Sequence, residues 1–162
     1  MKKCDVEEKV ETIEILEFTL STGNSNEKYG VEVLYVNEVH SVKSVTKLPC
    51  TPSFIVGIMN FRGKIISVID IRNYLGFSVD IVEADIVKKV IVIKVNDIEV
   101  GIAADGILGC NEIPLSAIQK NVLTITNLKP EYFKGMTKER SIILDINNIM
   151  IDEKIIVNEE VI

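Results

Sequence analysis

Apolar and polar residues alternate along most of this chain in short runs rich in Val and Ile. VEVLYVNEV (31–39), KIISVIDI (64–71), KKVIVIKV (88–95), IEVGIAA (98–104) and RSIILDI (140–146) each have strand length, and Gly, Pro, Asn or Asp separates them. β-Branched side chains crowd a helix and fit a pleated strand, and a period of two places alternate residues on one face. The pattern predicts a mostly-β protein. Asn96-Asp97, between two such runs, predicts a tight hairpin turn. Helix is expected only in short pieces: PSFIVGIMN (52–60), IRNYLG (71–76) and the segment from Ile146 to Ile151. STGNSNEKYG (21–30) reads as a solvated loop, and NEEVI (158–162) as a frayed end.

One pattern is written twice. Pro52-x-Phe54-x-x-Gly57 is followed by a charged turn, an Ile-rich strand, Asp70-Ile71 and an apolar segment. Pro130-x-Tyr132-x-x-Gly135 is followed by a charged turn, an Ile-rich strand, Asp145-Ile146 and a similar segment. Upstream, YGVEVLYVNEV is echoed more weakly by VGIAADGILGCNEI. Agreement over several elements in the same order predicts two small β-units, each too small to bury its own face and therefore packed on the other.

Length and composition add limits. The chain has 162 residues, 47% of them hydrophobic, enough for one ordinary domain or two very small ones. No apolar run approaches the ~18 residues of a membrane span, and the start MKKCDVEEKVETIEI is charged where a secretion signal needs an apolar core. A soluble cytoplasmic protein is expected. With 24 acidic against 18 basic side chains the formal charge is -6, and no dense Lys/Arg cluster is present to follow a phosphate backbone. Nucleic acid is not an expected partner, nor is direct membrane insertion. Cys4, Cys50 and Cys110 lie far apart and are read as reduced thiols, the last two partly buried.

Candidate catalytic groups are sparse. His40 is the only histidine, so neither a histidine metal site nor a histidine dyad can be assembled. No spacing argues for His40 beside Cys50 or Cys110. Asp70, Asp105 and Asp145 each follow an apolar run and could form a carboxylate cluster, but capping a strand or helix end explains them more simply. VGIAADGILG lacks the Lys-Ser/Thr of a phosphate loop. The expectation is a non-enzyme with no metal or other cofactor, the alternative a small β-barrel enzyme using Asp70 or Asp105.

YGVEVLYVNEV, VTKLPCTPSFIVGIMNFRGKIISVIDIRNYLGF, VGIAADGI and EYFKGMTKERSIILDINNIM together resemble the CheW-like coupling proteins of bacterial chemotaxis, from about Leu16 to Met150. The sharpest part is Gly57 to Gly63 followed by Val68-Ile-Asp70-Ile-Arg72, similar to the family's Asn-Leu-Arg-Gly and Val-Ile-Asp-Leu-Arg, with Phe61 where Leu is usual. The resemblance implies two packed, five-stranded SH3-like β-barrels with short helices and a groove between them. Within a single domain, 1–162, the first barrel is expected over about 16–82 and the second over about 83–150 with the N-terminal strand, leaving 151–162 as a tail. It also implies a non-enzymatic adaptor that couples the cytoplasmic tips of methyl-accepting chemoreceptors to the regulatory domain of the histidine kinase CheA. Such an adaptor would be recruited to membrane receptor arrays. The double-barrel part of a CheV-like protein or of the kinase itself is the alternative within the family.

Carried onto this sequence, the resemblance places receptor binding at Val33, Val36, Glu38, Val56, Gly57, Ile58, Arg62, Val100 and Gly101, and kinase binding at Val42, Val45, Thr46 and Leu48. Arg62 raises its own question, since it stands inside an otherwise apolar stretch between Phe61 and Gly63. A turn arginine pointing into water is the plain explanation. Glu38, on a strand of the same half, could instead hold the guanidinium, whose donors would then face a partner in a fixed direction.

Overall fold

The computed structural model describes residues 10–22, 25–43, 45–77, 83–120 and 129–152. In chain order these form β1 (Thr12–Thr22), β2 (Ser25–Glu32), β3 (Val36–Ser41), β4 (Ile55–Phe61), β5 (Lys64–Ile69), α1 (Ile71–Leu75), β6 (Lys89–Val95), β7 (Ile98–Ala104), β8 (Gly106–Pro114), β9 (Phe133–Met136), β10 (Ser141–Leu144) and α2 (Ile146–Met150). Among the described residues no helix is long and apolar enough to cross a membrane. The strands make two five-stranded sheets, ordered β8-β1-β2-β10-β9 and β3-β6-β7-β5-β4. The frayed end expected at 158–162 and Cys4 fall outside the described residues.

The sharing of strands differs from a division along the chain. β2 pairs with β1 and β10, while β6 and β7 pair with each other and with β3 and β5. The chain therefore starts in one sheet, enters the other through a 3-10 turn at Val33–Tyr35, and returns between Ala104 and Gly106 across Asp105. Two local expectations also change. Residues 55–61 are strand rather than helix, because β5 supplies an antiparallel partner along their length. Residues 25–30 belong to β2 rather than to a loop, since their backbone pairs with β1 while Tyr29 is fully buried.

The core explains the continuous apolar run of β6. Ile91, Ile93 and Val95 face the main cluster between the sheets, with Leu16, Phe18, Tyr29 and Val31 from the other sheet and Tyr74, Ile146 and Ile149 from the helices. Val90 and Val92 face a second cluster with Val45, Val56, Phe61, Ile66, Val68 and Ala103. A strand covered on both faces has no polar alternation to show. Each fully buried Val, Ile or Phe stabilises by about 1.5–3 kcal/mol relative to an exposed one, so these layers hold the two sheets as one body.

The sheets are open in their ladders, and the ends of each meet at one bridge. Thr46 and Ile58 exchange hydrogen bonds of 2.9 and 2.8 Å, joining the chain beyond β3 to β4. Gln119 and Met136 do the same at 2.9 and 3.0 Å, joining the chain beyond β8 to β9. Closed barrels are thus replaced by sheets curled until their edges touch at a single pair. The bridge needs Gly57 and Gly135 beside it, for a Cβ added to them would lie 2.3 Å from Thr46 O and 2.7 Å from Gln119 O. The twofold repeat in the sequence is therefore a repeat of the closing device.

Candidate functional site

The β4–β5 hairpin turns on Arg62 and Gly63, both with positive φ, 50° and 81°, between the paired Phe61 and Lys64. A two-residue turn of this hand suits the strand twist, and Asn-Gly is its usual filling. Arginine at the first position carries a left-handed penalty of roughly 1–2 kcal/mol. The Asn60 side chain offsets part of this, its Oδ1 accepting from Gly63 N at 3.1 Å.

Arg62 is not a free turn residue. Its Nη2 donates to Glu38 Oε2 at 2.7 Å, the short distance of a charge-assisted bond. Glu38 reaches it because β3 bulges between Val36, opposite Ile93, and Glu38, opposite Val92. A bulge re-aims the side chain that follows it. The guanidinium carbon lies 5.1 Å from the centroid of the Phe61 ring, within cation–π range. His40, two residues after Glu38 on the same strand, sets its ring edge-on to Phe61 at 5.1 Å and 87°. Its Nε2 is 3.1 Å from Glu38 Oε1. Arg62 thus remains 68% exposed while its direction is fixed from two sides.

The other candidates divide by burial. Val33 and Val36 are half-buried at the margin of the main core, and Ile58 and Leu48 are half-buried. Val42 packs against the second core cluster and Thr46 is exposed. Val56 and Val100 are core residues at 5% and 2% exposure, and Val45 is interior as well. Gly57 and Gly101 are buried too, Gly101 beneath Val90. Side chains of this second group support the surface from beneath. Gly57 and Ile58 from the receptor set touch Val45 and Thr46 from the kinase set at the closing bridge, so the two sets adjoin there.

The sequence reading missed Phe61 and His40 as parts of the Arg62 cluster. The signal for His40 was its spacing, since residues two apart on a strand share a face. It also missed Leu34 and Ile65, which are 79% and 60% exposed. Leu34, Tyr35, Val36 and Asn37 line one open depression with Lys94 and Asn96. Cys50 and Cys110 are exposed rather than partly buried: Cys50 lies in a turn with φ 59°, and Cys110 on the largely solvent-facing β8.

The aspartates considered as catalytic have structural engagements. Asp70 caps α1 through Arg72 N at 3.1 Å, and Asp145 caps α2 through Asn148 N at 3.1 Å. Asp105 Oδ2 accepts from Ser21 N at 2.6 Å and ties the return crossing to β1. Asp70 and Asp105 line one small cavity with Arg72 and Leu20, but Arg72 Nε already occupies Asp70 Oδ1 at 3.2 Å. Burial pushes the hydroxyls of Tyr29 and Tyr74 well above the ordinary tyrosine range, aided by Glu27 and Tyr132 respectively. Both are neutral hydrogen-bonding groups near pH 7. Among the described residues no group of three or more His, Cys, Asp or Glu is disposed to hold a metal ion.

Paired five-stranded sheets, two short capped helices and a held arginine at a hairpin turn characterise the module. The chain belongs to the CheW-like domain family, which matches residues 15–154. It is 34% identical to a chemotaxis protein CheW of Klebsiella aerogenes over 144 residues, covering 87% of this chain and 83% of the relative. A chemotaxis protein CheW of Thermotoga maritima is 34% identical over 123 residues, 72% of this chain and 75% of the relative. The fold is similar to the crystal structure of the scaffolding protein TtCheW from Thermoanaerobacter tengcongensis, with a TM-score of 0.68 at 26% identity, covering 89% of this chain and 96% of that one.

Proposed function

We propose that this chain is a non-enzymatic adaptor of bacterial chemotaxis that couples chemoreceptor tips to the histidine kinase CheA in the cytoplasm. The observation that carries the reading is the held Arg62 on a chain whose family match runs almost end to end. A receptor helix bundle lays an apolar ridge along the exposed margin that includes Leu34, Val36 and Ile58, and Arg62 supplies the directed polar contact. Chain around Val42, Thr46 and Leu48, where β3 runs on to the closing bridge, meets the kinase regulatory domain. Each curled sheet serves as an SH3-like barrel in this arrangement.

Such a protein transmits a signal only through different affinity for the two states of its partners. Titration calorimetry of the purified chain against a receptor signalling fragment and against the CheA regulatory domain tests the reading. Saturable binding to both is expected. Binding to neither would overturn it.

A further inference from the structure

We propose that His40 is a positioning residue for Arg62, acting through Glu38 without touching the partner itself. The inference rests on reading Arg62 as partner-facing and adds a residue to that site. Glu38 has two carboxylate oxygens, one taken by Arg62 and the other approached by His40 Nε2 at 3.1 Å. That nitrogen is shut off from water, and its contact with Glu38 is a close approach rather than an aligned hydrogen bond. This role requires a ring hydrogen on Nε2, where the neutral imidazole would face the carboxylate oxygen with a donor.

The consequence is orientational. A half-exposed glutamate has three side-chain torsions, and one contact with a still longer arginine leaves the pair free to swing together. Anchoring Oε1 from the same strand fixes the plane of the carboxylate, and the plane fixes the direction from which Arg62 can approach Oε2. Phe61, 2% exposed, lies against both the His40 ring and the Arg62 guanidinium and sets their separation. The device is a strand-borne brace, and its effect on binding is preorganisation.

Two variants separate the nitrogen from the ring. His40→Phe keeps an aromatic edge on Phe61 and removes Nε2; His40→Gln removes the ring and keeps an amide nitrogen at similar reach. In the isolated chain, NMR of the arginine Nε–Hε groups reads how tightly Arg62 is held, with thermal midpoints confirming that both variants fold. The Arg62 signal should broaden or vanish in His40→Phe and persist in His40→Gln. Affinity for a receptor signalling fragment should fall about threefold to tenfold in His40→Phe and stay within about twofold in His40→Gln. In a Glu38→Ala background, His40→Phe should change affinity no further. An unaltered Arg62 signal in His40→Phe, or an equal affinity loss with and without Glu38, would overturn the proposal. Absence of receptor binding by the unmutated chain would overturn the adaptor reading alone, and the NMR comparison would still decide whether His40 holds Arg62.

Discussion

Asp70 and Asp145 occupy the same place in two copies of one motif. Each backbone amide donates at 2.8 Å to the carbonyl of the aromatic residue that follows a Pro-x pair, Phe54 for one and Tyr132 for the other. Each carboxylate caps a five-residue helix, and each carbonyl accepts the first helical bond at 3.0 Å, from Tyr74 and Ile149. They differ in their side-chain partner: Asp145 Oδ2 accepts from Asn148 Nδ2 at 3.2 Å, whereas Asp70 holds Arg72 in a pair that is almost completely buried, with side chains 1% and 6% exposed.

That difference predicts unequal costs. Asp145→Ala loses a cap, about 1 kcal/mol. Asp70→Ala loses the same cap and strands a buried guanidinium, for which about 3–5 kcal/mol is expected. Urea denaturation of the two variants measures both. Equal losses would show that Arg72 relaxes to solvent without strain.

A second expectation concerns Arg62. Its exposed charge contributes less than about 1 kcal/mol to folding, so Arg62→Ala should leave the thermal midpoint nearly unchanged. Removal of a central arginine from a desolvated contact costs about 2 kcal/mol or more, roughly thirtyfold in affinity. Arg62→Lys should recover only part of this, since an ammonium lacks the planar fork. Glu38→Ala should weaken the same binding, and the double variant should fall short of additivity. Receptor titrations of the four proteins supply the cycle.

The closing bridge supplies a third. Gly57→Ala would drive a methyl into Thr46 O, a backbone atom that cannot retreat without breaking the Thr46–Ile58 pair. A loss of about 2–3 kcal/mol is expected, together with faster hydrogen exchange of the Thr46 and Ile58 amides. Gly63→Ala meets no atom within 4 Å and carries only the cost of its positive φ, about 1 kcal/mol.

Alkaline stability should report Tyr29. Burial raises its pKa in the folded chain above the ordinary tyrosine value of about 10, and the hydrogen bond that the Tyr29 hydroxyl donates to Glu27 Oε2 at 2.7 Å adds to the effect. The unfolded chain therefore releases this proton first as pH rises. The associated stability is fully present below pH 10 and declines above it. Tyr29→Phe should flatten that limb of a stability-against-pH curve while losing the Glu27 hydrogen bond at neutral pH.

Much of this was legible in the sequence, for physical reasons that also mark where reading stops. The strands with β-branched runs, the helix capped by Asp70 and the Glu38–Arg62 pair follow from periodicity, capping chemistry and opposite charge. Residues 52–60 misled because a short apolar run with no alternation fits either a helix or a doubly covered strand. Val56 and Val100 entered the receptor set through the resemblance alone, and local alternation could not show that both are core, since their strands are covered on two faces. β2 was hidden by its polar residues, of which Asn26 and Lys28 are exposed beside the inward Tyr29. Membership of a sheet is set by long-range pairing, which no local pattern encodes.

The route of the chain between the sheets has a mechanical meaning. Everything from β3 to β7 leaves the first sheet through Val33–Tyr35 and comes back through Asp105, so the covalent links between the two sheets among the described residues are two short pivots. Asp105 is clamped to β1 by its own amide, which donates to Thr19 O at 3.0 Å, and by its carboxylate on Ser21 N. The other pivot carries Leu34, the most exposed large apolar residue described, and leads directly into the strand that bears Glu38 and His40. A partner bearing on that turn would load the joint itself. Because the shared core holds the two sheets as one body, that load would pass straight into the strand that carries Glu38, the residue that holds Arg62.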